Sequence, residues 1–150
     1  MRSALGARRG LAWLVLCLGA LGCAKFQTAR ECGSFVSAIK TWKSQAPAAA
    51  ASAGATMPSS ATASLESRAL ADRYDDLAQR IDALHLTSPE LVPRATRYQK
   101  LSREAARALR DVAAAVEIAD QEGARRRRIE FDDIARGEAP LVADINTVCR

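Results

Sequence analysis

Four cysteines, one histidine, a set of aspartates and a run of four arginines are the side chains of this 150-residue chain that could do chemistry. Acid–base or metal work would fall to Asp72, Asp75, Asp76, Asp82, Asp132 and Asp133. The first four alternate with Arg68, Arg73 and Arg80, as solvated helix faces do, and no Glu-x-x-His pair supplies a carboxylate-bridged metal centre. His85 stands alone, and a lone histidine cannot ligate a metal without partners. Its place at the end of a helical segment suits the negative end of a helix dipole instead. Nucleophilic catalysis needs a nucleophile held beside a base, and no Ser/His/Asp or Cys/His grouping is legible. No glycine-rich phosphate loop and no CxxC or zinc-type Cys/His spacing occurs either. These patterns point away from an enzyme and call for no cofactor and no metal.

The run Arg125-Arg126-Arg127-Arg128 supports two readings. It could dock an acidic envelope protein or an anionic polymer. Alternatively it is a solvated segment whose arginines pair with Glu122, Glu130, Asp132 and Asp133, all within helical reach. Nucleic acid is a poor fit, because aromatics are only 5% of the chain and no basic face interleaved with them is visible.

The N-terminus carries Arg2, Arg8 and Arg9 with no acid, followed by twelve apolar residues at 11–22. A helix of that length rises about 18 Å, short of the roughly 30 Å hydrocarbon core, so a cleaved signal peptide over 1–22 is expected rather than a membrane span. Arg8-Arg9 with Leu11 also resembles a twin-arginine signal, although an ordinary basic leader explains the pair. The segment Leu18-Gly19-Ala20-Leu21-Gly22-Cys23 resembles the lipobox of bacterial lipoproteins. Gly22 fits its small position, whereas Ala20 and Leu21 depart from the usual residues. The resemblance covers residues 1–23 only. It implies a diacylglycerol on Cys23 and a place in the bacterial envelope, membrane-anchored on the periplasmic or cell-surface side. Ordinary cleavage at the same bond is the competing reading.

Loss of the leader removes Cys17 and three of the 22 basic residues, leaving 19 basic against 17 acidic side chains, a formal charge of +2. Cys23, Cys32 and Cys149 then remain. If Cys23 carries lipid, Cys32 and Cys149 are left as a pair for a disulfide in an oxidising compartment; otherwise a stray thiol persists. Two unpaired buried cysteines are the other possibility.

Alanine abounds and large apolar residues are few, which predicts helices around a thin core. A first helix is expected over 26–44, with Cys32, Phe35, Ile39 and Trp42 on one face. A second over 64–86 carries Leu70, Tyr74, Leu77, Ile81 and Leu84. A third opens at Ser88-Pro89-Glu90, an N-cap, a first-turn proline and an acid, and presents Leu91, Ala95, Tyr98, Ala105, Leu109, Val112 and Val116. The fourth carries Phe131, Ile134, Leu141, Ile145 and Val148, with a kink expected at Gly137 and Pro140. Tyr74 and Tyr98 fall on the apolar stripes and are expected in the core. Gly123 and the arginines mark a turn, although the third helix continuing to about Arg136 is an alternative.

Alternating steps of three and four predict an all-α, antiparallel up-down bundle of three to four helices with left-handed packing. Its parts are a lipid-anchored first helix at 23–44, an Ala/Ser/Pro-rich linker at 45–61 and a bundle core at 62–150. Pairing Cys32 with Cys149 would place both near Cys23. The bundle would then stand end-on, with the arginines roughly 30 Å from the lipid. The expected function is a non-catalytic binding or scaffold module. A small-ligand carrier or enzyme, with room left by Ala95, Ser102 and Ala105, is the alternative, as is a self-associating structural lipoprotein. Partner identity and oligomeric state are not legible.

Overall fold

Apolar residues at three- and four-residue steps fold into five α-helices: α1 (Arg8–Ser44), α2 (Ser60–Asp82), α3 (Val92–Glu117), α4 (Gln121–Arg136) and α5 (Glu138–Val148). The structure, a computed structural model, describes residues 8–45 and 60–150, with side chains at 25–45 and 61–150. Most of the expected linker, 46–59, lies outside the described residues. Its last residues do not belong to a linker, because α2 begins at Ser60 rather than 64. The first helix likewise begins at Arg8 and runs through the boundary expected between 22 and 23. Leucine and alanine dominate that stretch, and no proline interrupts it.

The all-α antiparallel bundle expected from the periodicity is the observed fold. Helices α2 and α3 form a hairpin and pack along their length. Helix α1 covers the half of the hairpin nearest its turn, from Thr28 Oγ1 beside Ser88 Oγ (3.0 Å) to Trp42, whose Nε1 donates to the Arg73 carbonyl (2.8 Å). Helix α4 packs on the other half of α3, and α5 returns to the turn end. There Arg94 meets Asp144 at 3.0 Å, and Cys32 and Cys149 form a disulfide with Cα atoms 5.5 Å apart.

The core divides accordingly. At the turn end Cys32, Phe35, Trp42, Leu77, Ile81, Leu91, Tyr98 and Ile145 are buried together. At the opposite end the core is Ala71, Ala105, Ala106, Ala108, Leu109 and Phe131. Tyr74 bridges the two, with its ring 5.2 Å from Trp42 and 6.0 Å from Phe131, while Phe35 meets Tyr98 edge-on at 5.9 Å. Ser102, the polar interruption of the third stripe, is fully buried and donates to the Tyr98 carbonyl one turn back (3.0 Å).

Helix boundaries correct several expectations. Ser88 does not cap α3 with its side chain; its hydroxyl meets Thr28, and its carbonyl accepts from Leu91 and Val92. Continuation of α3 to Arg136 does not occur. The chain breaks after Glu117 in a Schellman motif, with Asp120 N–H on the Ala115 carbonyl and Ala119 N–H on that of Val116. Ala119 supplies the left-handed residue (φ 58°). Asp120 then caps α4 by accepting from Gly123 N–H at 2.8 Å. Gly123 is therefore a first-turn residue of α4 and not a turn, and the arginine run is helical. A Cβ at Gly123 would strike the Asp120 carboxylate as it stands, so any other residue there would make that side chain shift. The expected kink at Gly137 and Pro140 is a break between two helices. Pro140 sits in the first turn of α5, where its missing N–H has no intrahelical partner to lose.

This connectivity has measurable consequences. The disulfide closes a separation of 117 residues, which the chain-entropy model values at about 4.7 kcal/mol. Reduced protein should melt well below oxidised protein in calorimetry, and equal melting temperatures would contradict it. Ala119→Gly relieves a left-handed alanine and should stabilise by about 0.5–1 kcal/mol in urea titration; an unchanged or lowered midpoint counts against the motif.

Candidate functional site

The turn end collects more of the chain's polar chemistry than any other region described. Glu31 projects from α1 beneath the α2–α3 turn. Its carboxylate accepts from the backbone N–H of Thr87 (3.1 Å) and Ser88 (2.9 Å), and from the Thr87 hydroxyl (2.7 Å). Gln27 donates both to Glu31 (3.1 Å) and to the Thr87 hydroxyl. Desolvation raises the Glu31 pKa, but the Ser88 N–H, the Thr87 hydroxyl, the Gln27 amide and the Thr87 N–H together hold it below the ordinary glutamate value of 4.5. Two open N–H groups of the turn, those of Thr87 and Ser88, are thus satisfied by another helix. The second helix ends at Asp82 rather than 86, so His85 lies three residues beyond it, in the turn, where it adopts φ 46°.

Two clefts flank the turn. One of about 380 Å³ is lined by Gln27, Arg30, Glu31, Ser34, Leu84 and Leu86. The other, about 230 Å³, lies between the end of α2 and the start of α3 around His85 and Gln99. Of the positions expected to leave room for a ligand, Ser102 and Ala105 are buried in the helix contacts, whereas Ala95, also buried, lines the cleft beside His85. Cys32 and Cys149 are joined at this end, and Cys32 stands nine residues after Cys23, whose side chain lies outside those described. Phe26, one turn after position 23, is 76% exposed.

The arginine run lies at the opposite end, on the exposed side of α4. Arg126 pairs with Glu122 (3.0 Å), Arg127 with Glu130 (2.9 Å) and Arg128 with Asp132 (3.8 Å). Arg128 also sits 5.7 Å from the Phe131 ring centre, and Glu130 raises the Arg127 pKa. Asp133 pairs with Arg136 rather than with the run. Such exposed helical pairs contribute little, so three of the four arginines have their charge met locally and weakly. Arg125 has no such pair among the described residues.

The other carboxylates are dispersed. Asp72 and Asp75 both bind Arg110 on α3, Asp76 pairs with Arg80, and Asp82 accepts from Gln99 at 3.2 Å. The Arg110 pKa is raised by its bonds to Asp75 and Asp72. Among the described residues, no group of three or more His, Cys, Asp or Glu side chains could hold a metal ion.

Sequence reasoning missed Glu31, although its register offers a signal: it falls among Thr28, Cys32 and Phe35 on the inward face. It also missed the Tyr98–Glu138 bond (2.6 Å), where Glu138 at the start of α5 also meets Lys43 (3.0 Å). Burial, followed by that bond, pushes the Tyr98 pKa upward. No protein-family model matches the chain, nor does any curated protein or solved structure.

Because the folded pKa of Glu31 is depressed, its contribution is present above about pH 4.5 and is lost as pH falls through the lower folded value. Glu31→Gln should cost about 1–2 kcal/mol near neutral pH. The difference from wild type should shrink in acid. A difference that stays constant down to about pH 3 would show that the carboxylate charge is not what holds the turn.

Proposed function

We propose that this chain is a lipid-anchored protein of the bacterial envelope, attached through Cys23, and that its bundle is a non-catalytic binding or scaffold module. The observation that carries this reading is the Cys32–Cys149 disulfide. With those two sulfurs joined, Cys23 is the one cysteine left after loss of residues 1–22, and thioether attachment removes what would otherwise be a stray thiol. A disulfide joining α1 to the residue after α5 also suits an oxidising compartment.

Binding is favoured over catalysis by how the ionisable groups are used. Glu31, Glu117 and Glu138 each tie one helix to another: Glu117 accepts from Ser64 and Arg68 (both 2.7 Å), Glu31 holds the turn, and Glu138 joins α1, α3 and α5. Their roles are met by bundle construction, and Glu31, which also lines the cleft beside the turn, has its carboxylate taken up by Thr87, Ser88 and Gln27. Partners of the kind expected are an envelope protein or an anionic polymer. No helix among the described residues is long and apolar enough to cross a membrane, so attachment in this reading rests on the lipid.

Intact-mass measurement on protein taken from membranes should show a diacylglyceryl-modified Cys23, and Cys23→Ser should move the protein to the soluble fraction. An unmodified mass with unchanged fractionation would remove the anchor.

A further inference from the structure

The inward residues of α1, Thr28, Cys32, Phe35, Ile39 and Trp42, step by four, three, four and three. The same rhythm, offset by two residues, places Phe26, Arg30, Gly33, Ser37 and Lys40 on the opposite side, and all five are exposed. This outer stripe contains no acid. The only acid among the described side chains of α1 is Glu31, which is turned inward onto Thr87 and Ser88. Of the basic residues among the described side chains of α1, Lys43 is paired with Glu138, whereas Lys25, Arg30 and Lys40 have no ion-pair partner among the described residues. The other helices differ, because α2, α3 and α4 set acids beside their exposed bases, as in Arg80–Asp76, Lys100–Glu104 and Arg126–Glu122.

The middle of the stripe is small. A Cβ built on Gly33 meets nothing within 4 Å, and Ser37 follows one turn later. A flat surface could therefore approach α1 between the Phe26–Arg30 end and Lys40, a span of about 21 Å at 1.5 Å per residue. An exposed aromatic beside unpaired basic residues is the composition that lies in an anionic bilayer interface, ring at the headgroup boundary and cations on lipid phosphates.

We infer that the outer stripe of α1, carrying Phe26, Arg30 and Lys40, is a docking face for an anionic phospholipid surface, so that the bundle lies along the membrane on α1 rather than standing end-on. The inference deepens the proposed function and rests on it for the location: the stripe begins one helical turn after position 23 and is continuous with the attachment point. Charge complementarity selects the occupant. Each basic residue brought to an anionic surface is worth about fivefold in partitioning, and neutral lipid offers no such gain.

The chain's four lysines provide the test, because Lys40 lies on the stripe and Lys100 lies on α3, 76% exposed. Full chain isolated from membranes would be reconstituted with vesicles of phosphatidylcholine, or of phosphatidylcholine mixed with phosphatidylglycerol. Reductive methylation would then be read residue by residue by mass spectrometry. Lys40 should react several-fold more slowly on the mixed vesicles than on the neutral ones, with Lys100 unchanged. Phe26→Ser combined with Arg30→Ser, both at exposed positions, should restore Lys40 reactivity while the helical circular dichroism is kept. Equal Lys40 reactivity on the two vesicles would overturn the inference. So would shielding that appears only when solubilised envelope proteins are added, which would assign the face to an acidic protein.

Intact mass on the same sample separates this face from the anchor. Lipid on Cys23 with equal Lys40 reactivity keeps the anchor and removes the face. An unmodified Cys23 with slowed Lys40 does the reverse.

Discussion

The covalent bond between Cys32 and Cys149 fixes the register on which the turn end of this bundle depends. Helix α1 joins the rest of the chain only through 46–59, and α5 is eleven residues long, too short to persist alone in water. Joining them makes each the other's support. With the bond in place, Glu31 lies under Thr87 and Ser88, Phe35 meets the Tyr98 ring, and Trp42 exchanges hydrogen bonds with Arg73. Shifting α1 by one residue would turn all of these contacts off the inward face. The crosslink thus holds a helix whose packing is specific, and does not replace packing that is missing.

The two halves of the molecule are stabilised by different means. At the turn end large side chains fill the space among α1, α2, α3 and α5, with aromatic contacts and a buried tyrosine whose hydroxyl is met by Glu138. At the other end alanine lets α2, α3 and α4 approach closely, and close approach replaces side-chain area with backbone and methyl contacts. Polar ties secure the ends of this second half: Glu117 to Ser64 and Arg68, and Asp120 to Gly123. Tyr74, between Trp42 and Phe131, is the residue through which the halves share a core.

Much of this is legible in the sequence where the signal is periodic. The stripe from Cys32 to Trp42, the stripe from Leu70 to Ile81, and the burial of Tyr98 all follow from three- and four-residue steps. The α3–α4 joint is misplaced by composition, because Gly123 reads as a breaker. The real break is a left-handed Ala119, which carries no compositional mark, followed by Asp120, an N-cap residue with Glu122 in the first turn behind it. That cap is readable from residue types. The Tyr98–Glu138 bond is not, since it depends on where α5 begins, and that is set by a break whose geometry the residues around Gly137 do not announce. Glu31 is hidden by its type, because an acid on an amphipathic helix is ordinarily assigned to solvent. Local pairing of the arginine run with Glu122, Glu130 and Asp132 follows from spacing alone once the run is known to be helical.

A bundle supported in this way should come apart in a definite order, and amide hydrogen exchange before and after reduction of the disulfide measures that order most directly. With the bond broken, amides of α1 over 25–44 and of α5 should lose protection, while those of the α2–α3 hairpin and α4 retain it. Uniform loss across all five helices, or unchanged protection in α1, would contradict the central role of the Cys32–Cys149 bond.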